Sequence, residues 1–137
     1  MTAFTFPIGE YYVGDPSAVL PCQVWGEICR QTRDFTTGGP LFECQGHPLF
    51  IIPVRCGDGI YADDAEGVYV IGSGLIGVIP RAISDADPLG PNAAAGRWED
   101  VLQQLTVTVY ENMITVNVDG GHEFSIDLEE QGESDHA

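Results

Sequence analysis

Apolar and polar residues alternate with a period of two through the last part of the chain. Leu105, Val107 and Val109 are interleaved with Thr106 and Thr108, and Ile114, Val116 and Val118 with Thr115 and Asn117. Phe124, Ile126 and Leu128 are likewise interleaved with Ser125 and Asp127, after Glu123. Successive strand residues point to opposite faces, so the pattern predicts a three-stranded antiparallel meander with one face buried and one wet. Matching the buried faces sets an expected register. Val109 falls opposite Ile114 and Val107 opposite Val116, around a tight turn near Glu111-Asn112. Val118 then falls opposite Phe124 and Val116 opposite Ile126, across a loop through Gly120-Gly121-His122. On the solvent face this places Asp119 opposite Glu123, Asn117 opposite Ser125 and Thr115 opposite Asp127. Acids would then cluster at one end of a flat polar surface, where like charges facing each other cost some stability.

Further upstream the runs are shorter and more uniformly apolar. Ala3–Ile8 and Glu10–Val13 read as strands on either side of a Pro7–Gly9 break. Leu41–Cys44, Leu49–Val54, Gly59–Ala62, Val68–Ile71 and Leu75–Ile79 read as strands separated by Gly, Pro and Asp. Asp15-Pro16 is a helix-start or turn signal, the carboxylate capping and the proline presetting φ. A helix is predicted from Cys22 to Thr32 after Pro21, with Val24, Trp25 and Ile28 on the side that packs across the sheet. A second short helix is predicted over Arg97–Gln104, with Trp98, Val101, Leu102 and Leu105 as its apolar side. Thr36–Pro40 and Asp85–Gly96 read as loops, and residues 129–137 as an acidic disordered tail without an apolar anchor.

These elements make the chain mainly β: a single antiparallel domain over residues 1–128, a sandwich or partly open barrel with one or two short helices. At 137 residues with 44% apolar and 19% charged side chains, it is large enough for a core and too hydrophobic to be disordered throughout. Seventeen glycines and nine prolines favour short strands and many turns. No signal peptide and no uninterrupted membrane span is read from the sequence. A cytoplasmic protein with four reduced cysteines is therefore expected.

Charge narrows the choice of partner. The chain has 21 acids against five arginines and no lysine. Residues 1–57 carry five acids and three arginines, a net of −2, and residues 58–137 carry sixteen acids and two arginines, a net of −14. Such a balance excludes direct binding to nucleic acid or an anionic membrane and points to a basic protein surface or a cation. Coding bias or salt adaptation would produce an acidic surface as well, but explains its segregation into one half less well. The acids of the meander (Glu111, Asp119, Glu123, Asp127) and of the turn at Asp63, Asp64 and Glu66 are the candidate partner-binding residues. A fold displaying them would compete for a phosphate-binding groove, as a DNA mimic does.

Other chemistry is less well supported. Asp58, Asp63, Asp64 and Glu66 offer oxygens for calcium, but their spacing is not that of an EF-hand, and Asp and Gly at hairpin corners are ordinary turn chemistry. Cys44-x-x-His47 with Cys56, plus Cys22 or Cys29, would make a zinc set without a second close ligand pair. Ser73 in Gly72-Ser73-Gly74 lacks the strained nucleophile elbow, and no phosphate-binding or dinucleotide loop is present. No cofactor is expected. The alternatives to a binding protein are a small metal-dependent hydrolase built on Asp58, Asp63, Cys44, His47 and Cys56, and a homo-oligomer that pairs an uncovered sheet edge.

Two strings carry a resemblance. Tyr11-Tyr12-Val13-Gly14-Asp15-Pro16, with Trp25 beyond it, is the first. The second is Gly57-Asp58-Gly59-Ile60-Tyr61, then Gly67-Val68-Tyr69-Val70, then Ser73-Gly74-Leu75-Ile76-Gly77-Val78-Ile79-Pro80. They resemble a group of small bacterial and phage proteins of unassigned activity. The chain departs from that group at Gly72, where an acid is usual, and at Ser17-Ala18, where Cys-Tyr is usual. The resemblance implies a β-rich fold and a bacterial or mobile-element setting, and it implies no activity. Within that setting the expected role is a non-enzymatic inhibitor that occupies a basic, nucleic-acid-binding surface of a host defence complex.

Overall fold

A computed structural model describes residues 2–32, 41–54, 59–72, 74–84 and 96–128. In chain order its elements are β1 (Thr2–Phe6), β2 (Gly9–Gly14), a 3-10 turn (Pro16–Ala18), α1 (Cys22–Thr32), β3 (Leu41–Cys44), β4 (His47–Pro53), β5 (Gly59–Ala62), β6 (Val68–Ile71), β7 (Leu75–Pro80), a second 3-10 turn (Arg81–Ile83), β8 (Arg97–Val101), β9 (Leu105–Val109), β10 (Met113–Val118) and β11 (His122–Asp127). The expected loops at Thr36–Pro40 and residues 85–95, Ser73 and the expected tail at 129–137 lie outside the described residues.

The strands build a four-stranded sheet in the order β1-β9-β10-β11 and a five-stranded sheet in the order β3-β4-β7-β2-β8. A separate hairpin pairs β5 with β6, and every pairing is antiparallel. The two larger sheets share one core, Phe6, Leu105, Val107, Ile114, Val116, Phe124 and Ile126 from the first meeting Tyr11, Val13, Phe50, Ile76, Val78 and Val101 from the second. This is a β sandwich, not a closed barrel.

The central strands of the five-stranded sheet are buried on both faces. Their other sides, Tyr12, Leu49, Ile51, Leu75 and Ile79, form a second core with Val24 and Ile28 of α1. Near-continuous apolar runs such as Tyr11-Tyr12-Val13 and Leu75 to Ile79 follow from that double burial. The helix starts where its first free N–H finds a carbonyl, Trp25 donating to Pro21 at 2.9 Å. It covers the sheet as its apolar side predicts.

Two expectations are corrected. Arg97–Val101 is not helical: it is the edge strand β8, paired with β2 from Gly9 opposite Val101 to Val13 opposite Arg97. Trp98, Val101, Leu102 and Leu105 match a helical period, but pairing with the buried strand β2 overrides it and the last of them begins β9. The β9–β10 register is as expected, but β10 and β11 pair two residues away from the expected register: Val118 lies opposite His122, Val116 opposite Phe124 and Ile114 opposite Ile126. A shift of two keeps every side chain on its face, so burial could not distinguish the registers. Turn chemistry did. Asp119 and Gly120 both have positive φ, 58° and 74°, as a type I′ turn requires, which tightens the loop.

Candidate functional site

The β5–β6 hairpin closes one side of the sandwich. Tyr61, Tyr69 and Ile71 on its inner face enter the main core. Its turn is stitched to the edge of β11: Asp64 N–H donates to the Ser125 carbonyl at 3.1 Å, and Ser125 N–H donates to Asp64 Oδ1 at 2.9 Å. Asp63 forms an isolated bridge with Ile126.

Beneath this turn lies a charged cluster that sequence reasoning missed. The Asp63 carboxylate is fully buried. It accepts from the N–H groups of Ala65 (2.8 Å) and Gly67 (2.7 Å), from the Tyr69 hydroxyl and from Arg97 Nη1 (3.1 Å). Arg97 also binds Glu99 Oε2 through Nε at 2.7 Å, approaches His122 Nε2 at 3.1 Å and lies over the Phe124 ring at 4.3 Å. Burial alone raises the Asp63 carboxyl, but the bonds from Tyr69, Gly67 and Ala65 and the Arg97 charge outweigh it and hold the group below its ordinary value. Burial and the Asp63 hydrogen bond push the Tyr69 hydroxyl far up, so it stays a donor. Every group has a partner, and the arrangement locks the hairpin to β8 and β11. The available signal was a lone arginine placed two residues from an acid, in a half-chain holding only two arginines.

Of the seven candidate acids, two are therefore committed to the fold, and a third, Asp64, is exposed but also holds the Ser125 N–H through Oδ1. Asp63 is consumed in this cluster. Asp119 does not face Glu123: it sits in the β10–β11 turn and accepts from the N–H groups of Leu102 (3.0 Å), Gln103 (2.7 Å) and Gln104 (3.0 Å). Those bonds, led by that from Leu102, keep its carboxyl below the ordinary value. Asn117 faces Glu123 and Thr115 faces Ser125 instead.

The other five, Asp64, Glu66, Glu111, Glu123 and Asp127, are exposed. Asp64 and Asp127 line an open cavity of about 420 Å³ with Ala62, Asp63, Asn112, Met113 and Ser125. Glu66 shares the hairpin turn with Asp64, and Glu111 adjoins Asn112 in the β9–β10 turn, where Tyr110 N–H donates to the Met113 carbonyl at 2.8 Å. Glu123 stands four residues before Asp127, about 13 Å along the strand. The described arginines are engaged elsewhere: Arg30 with Glu27, Arg81 with Glu10 at 3.0 Å, and Arg97 as above.

The residues of the metal alternative do not assemble among those described. Asp63 is committed to Arg97, Asp58 and Cys56 lie outside the described residues, and no three described His, Cys, Asp or Glu side chains are placed to hold an ion. Cys44 pairs with His47 across the β3–β4 turn by backbone register. The two strings of the resemblance consist largely of core and joint residues: Tyr11, Tyr12, Tyr61 and Tyr69 are buried, and Asp15 ties β2 to the end of β6 by accepting from Ser17 N–H (2.9 Å) and Gly72 N–H (2.7 Å). No helix among the described residues is long and apolar enough to cross a membrane. Comparison with protein-family models, curated proteins and solved structures finds no match for this chain.

Proposed function

We propose that the protein is a non-enzymatic binding protein whose acidic end occupies a basic surface of a partner protein. Asp64, Glu66, Glu111 and Asp127 form that end, with Glu123 further along β11. In this reading the partner's cationic surface otherwise holds nucleic acid, and the protein is an inhibitor of the DNA-mimic kind acting in the cytoplasm. The phage or prophage setting, with a host defence complex as target, rests on the two resembling strings alone.

One observation carries the reading. The exposed acids Asp64 and Asp127, from one turn and one strand far apart in sequence, line one cavity in the half of the chain that has sixteen acids and two arginines. Such a surface steers a cationic partner and repels phosphate. The test is retention of proteins from a bacterial lysate on the immobilised chain, eluted by rising salt and by duplex DNA. Capture of a basic nucleic-acid-binding protein that salt and DNA both release, and that a D64N/E66Q/D127N variant fails to retain, is the expected result. Retention insensitive to salt, or unchanged in the variant, would falsify the reading.

A further inference from the structure

The outer face of the β5–β6 hairpin differs from that of the four-stranded sheet beside it. On the four-stranded sheet the outward positions are mostly polar, Thr5, Thr106, Thr108, Thr115, Asn117, Glu123, Ser125 and Asp127, with only Ala3 and Met113 apolar. On the hairpin the inward residues Tyr61, Tyr69 and Ile71 are buried, while the outward ones are Ile60, Val68 and Val70, at 43%, 53% and 50% exposure. Ile60 lies directly opposite Val70, and Val68 opposite Ala62, so the three make one continuous apolar strip. A single exposed valine needs no explanation, but a strand pair apolar on both faces reads as one built to be covered on both. Next to the strip, at the turn, stand the exposed carboxylates of Asp64 and Glu66.

We propose that this strip is a docking site for a partner segment with an apolar centre and a basic rim. The inference rests on the acidic-surface reading above and adds an apolar anchor to it. Charge selects this occupant. A second copy would bring another chain of net charge −16 to the strip, whereas a basic rim complements Asp64 and Glu66. Apolar contact then supplies the affinity that persists at high salt, and the carboxylates supply the rate and orientation of encounter.

Two synthetic peptides of equal charge test this by fluorescence anisotropy, one alternating valine with lysine and one alternating serine with lysine. At salt of about 150 mM the wild-type chain should bind the valine peptide about tenfold more tightly, with amide exchange slowed across residues 59–71. An I60T/V68T/V70T variant should lose that preference and keep its affinity for the serine peptide. The substituted side chains are exposed; if the triple variant is unfolded by circular dichroism, V70T alone serves for the same comparison. Equal binding of both peptides to the wild type overturns the docking site and leaves the acidic-surface reading standing. Binding of neither overturns both. Self-association in sedimentation velocity that disappears in the variant makes the occupant a second copy and also overturns the proposal.

Discussion

Asp63 occupies a hairpin turn, where an aspartate ordinarily needs no partner beyond nearby backbone. Here Arg97 arrives from a strand 34 positions away, and the carboxylate becomes the centre of a buried pair. Asp63→Asn removes the charge from the bonds with Tyr69, Gly67, Ala65 and Arg97 while Arg97 keeps Glu99, so it should destabilise the fold by about 1.5–3 kcal/mol in urea unfolding. The carboxyl's folded value lies below 3.8, so its contribution is present above that pH and lost as pH falls through the folded value. Wild-type and Asp63→Asn stabilities should therefore converge in acid. Gly67 belongs to the same joint, since a Cβ there would lie 2.2 Å from Asp63 Oδ2. Gly67→Ala should destabilise by displacing that carboxylate, and its cost should be less than additive with Asp63→Asn in a double-mutant cycle. The turn itself was legible from Asp, Gly and flanking apolar runs. The identity of its distant partner was not, because nothing local to residues 58–68 encodes Arg97.

Helix α1 shows how a short amphipathic element depends on its sheet. Eleven residues are marginal as an isolated helix, so the stability of α1 comes from Val24 and Ile28 packing over Tyr12, Leu49 and Ile79. Ile28→Ala should cost about 2–4 kcal/mol in urea unfolding and accelerate amide exchange in α1 before it does so in the β9–β11 meander. The helix was readable because Val24, Trp25 and Ile28 fall on one side just after Pro21, a helix-start signal. Strand β8 was not, because Trp98, Val101, Leu102 and Leu105 fall at helical spacing although they belong to two strands and the break between them. The β10–β11 register failed for another reason, since two-residue slips are invisible to burial. Asp119 decides the matter by capping residues 102–104. Asp119→Ala should speed amide exchange at Leu102, Gln103 and Gln104 specifically.

Across the molecule, 21 acids against five arginines make self-repulsion a standing cost. Raising salt screens it, so the melting temperature should rise between about 0.01 M and 0.5 M sodium chloride in the absence of any partner. A melting temperature that falls over that range would show that attractive ion pairs, such as Arg97 with Asp63 and Glu99, outweigh the repulsion. The packing of two sheets about one core and of α1 against a second follows from strands that are apolar on one face or on both. The strand orders do not follow, since β1 joins β9 and β8 joins β2 only after most of the chain has been made.

Alternation and apolar runs were enough for the mainly β class, the meander, the central helix and the acidity of the second half, because each depends on neighbours in the chain. The pairing of sheet edges, the burial of Asp63, the turn that holds Asp119 and the exposure of Ile60, Val68 and Val70 depend on residues brought together from far apart. Local pattern carries no information about those meetings. They set Asp63 and Asp119 into the fold and leave Asp64, Glu66, Glu111, Glu123 and Asp127 at the surface.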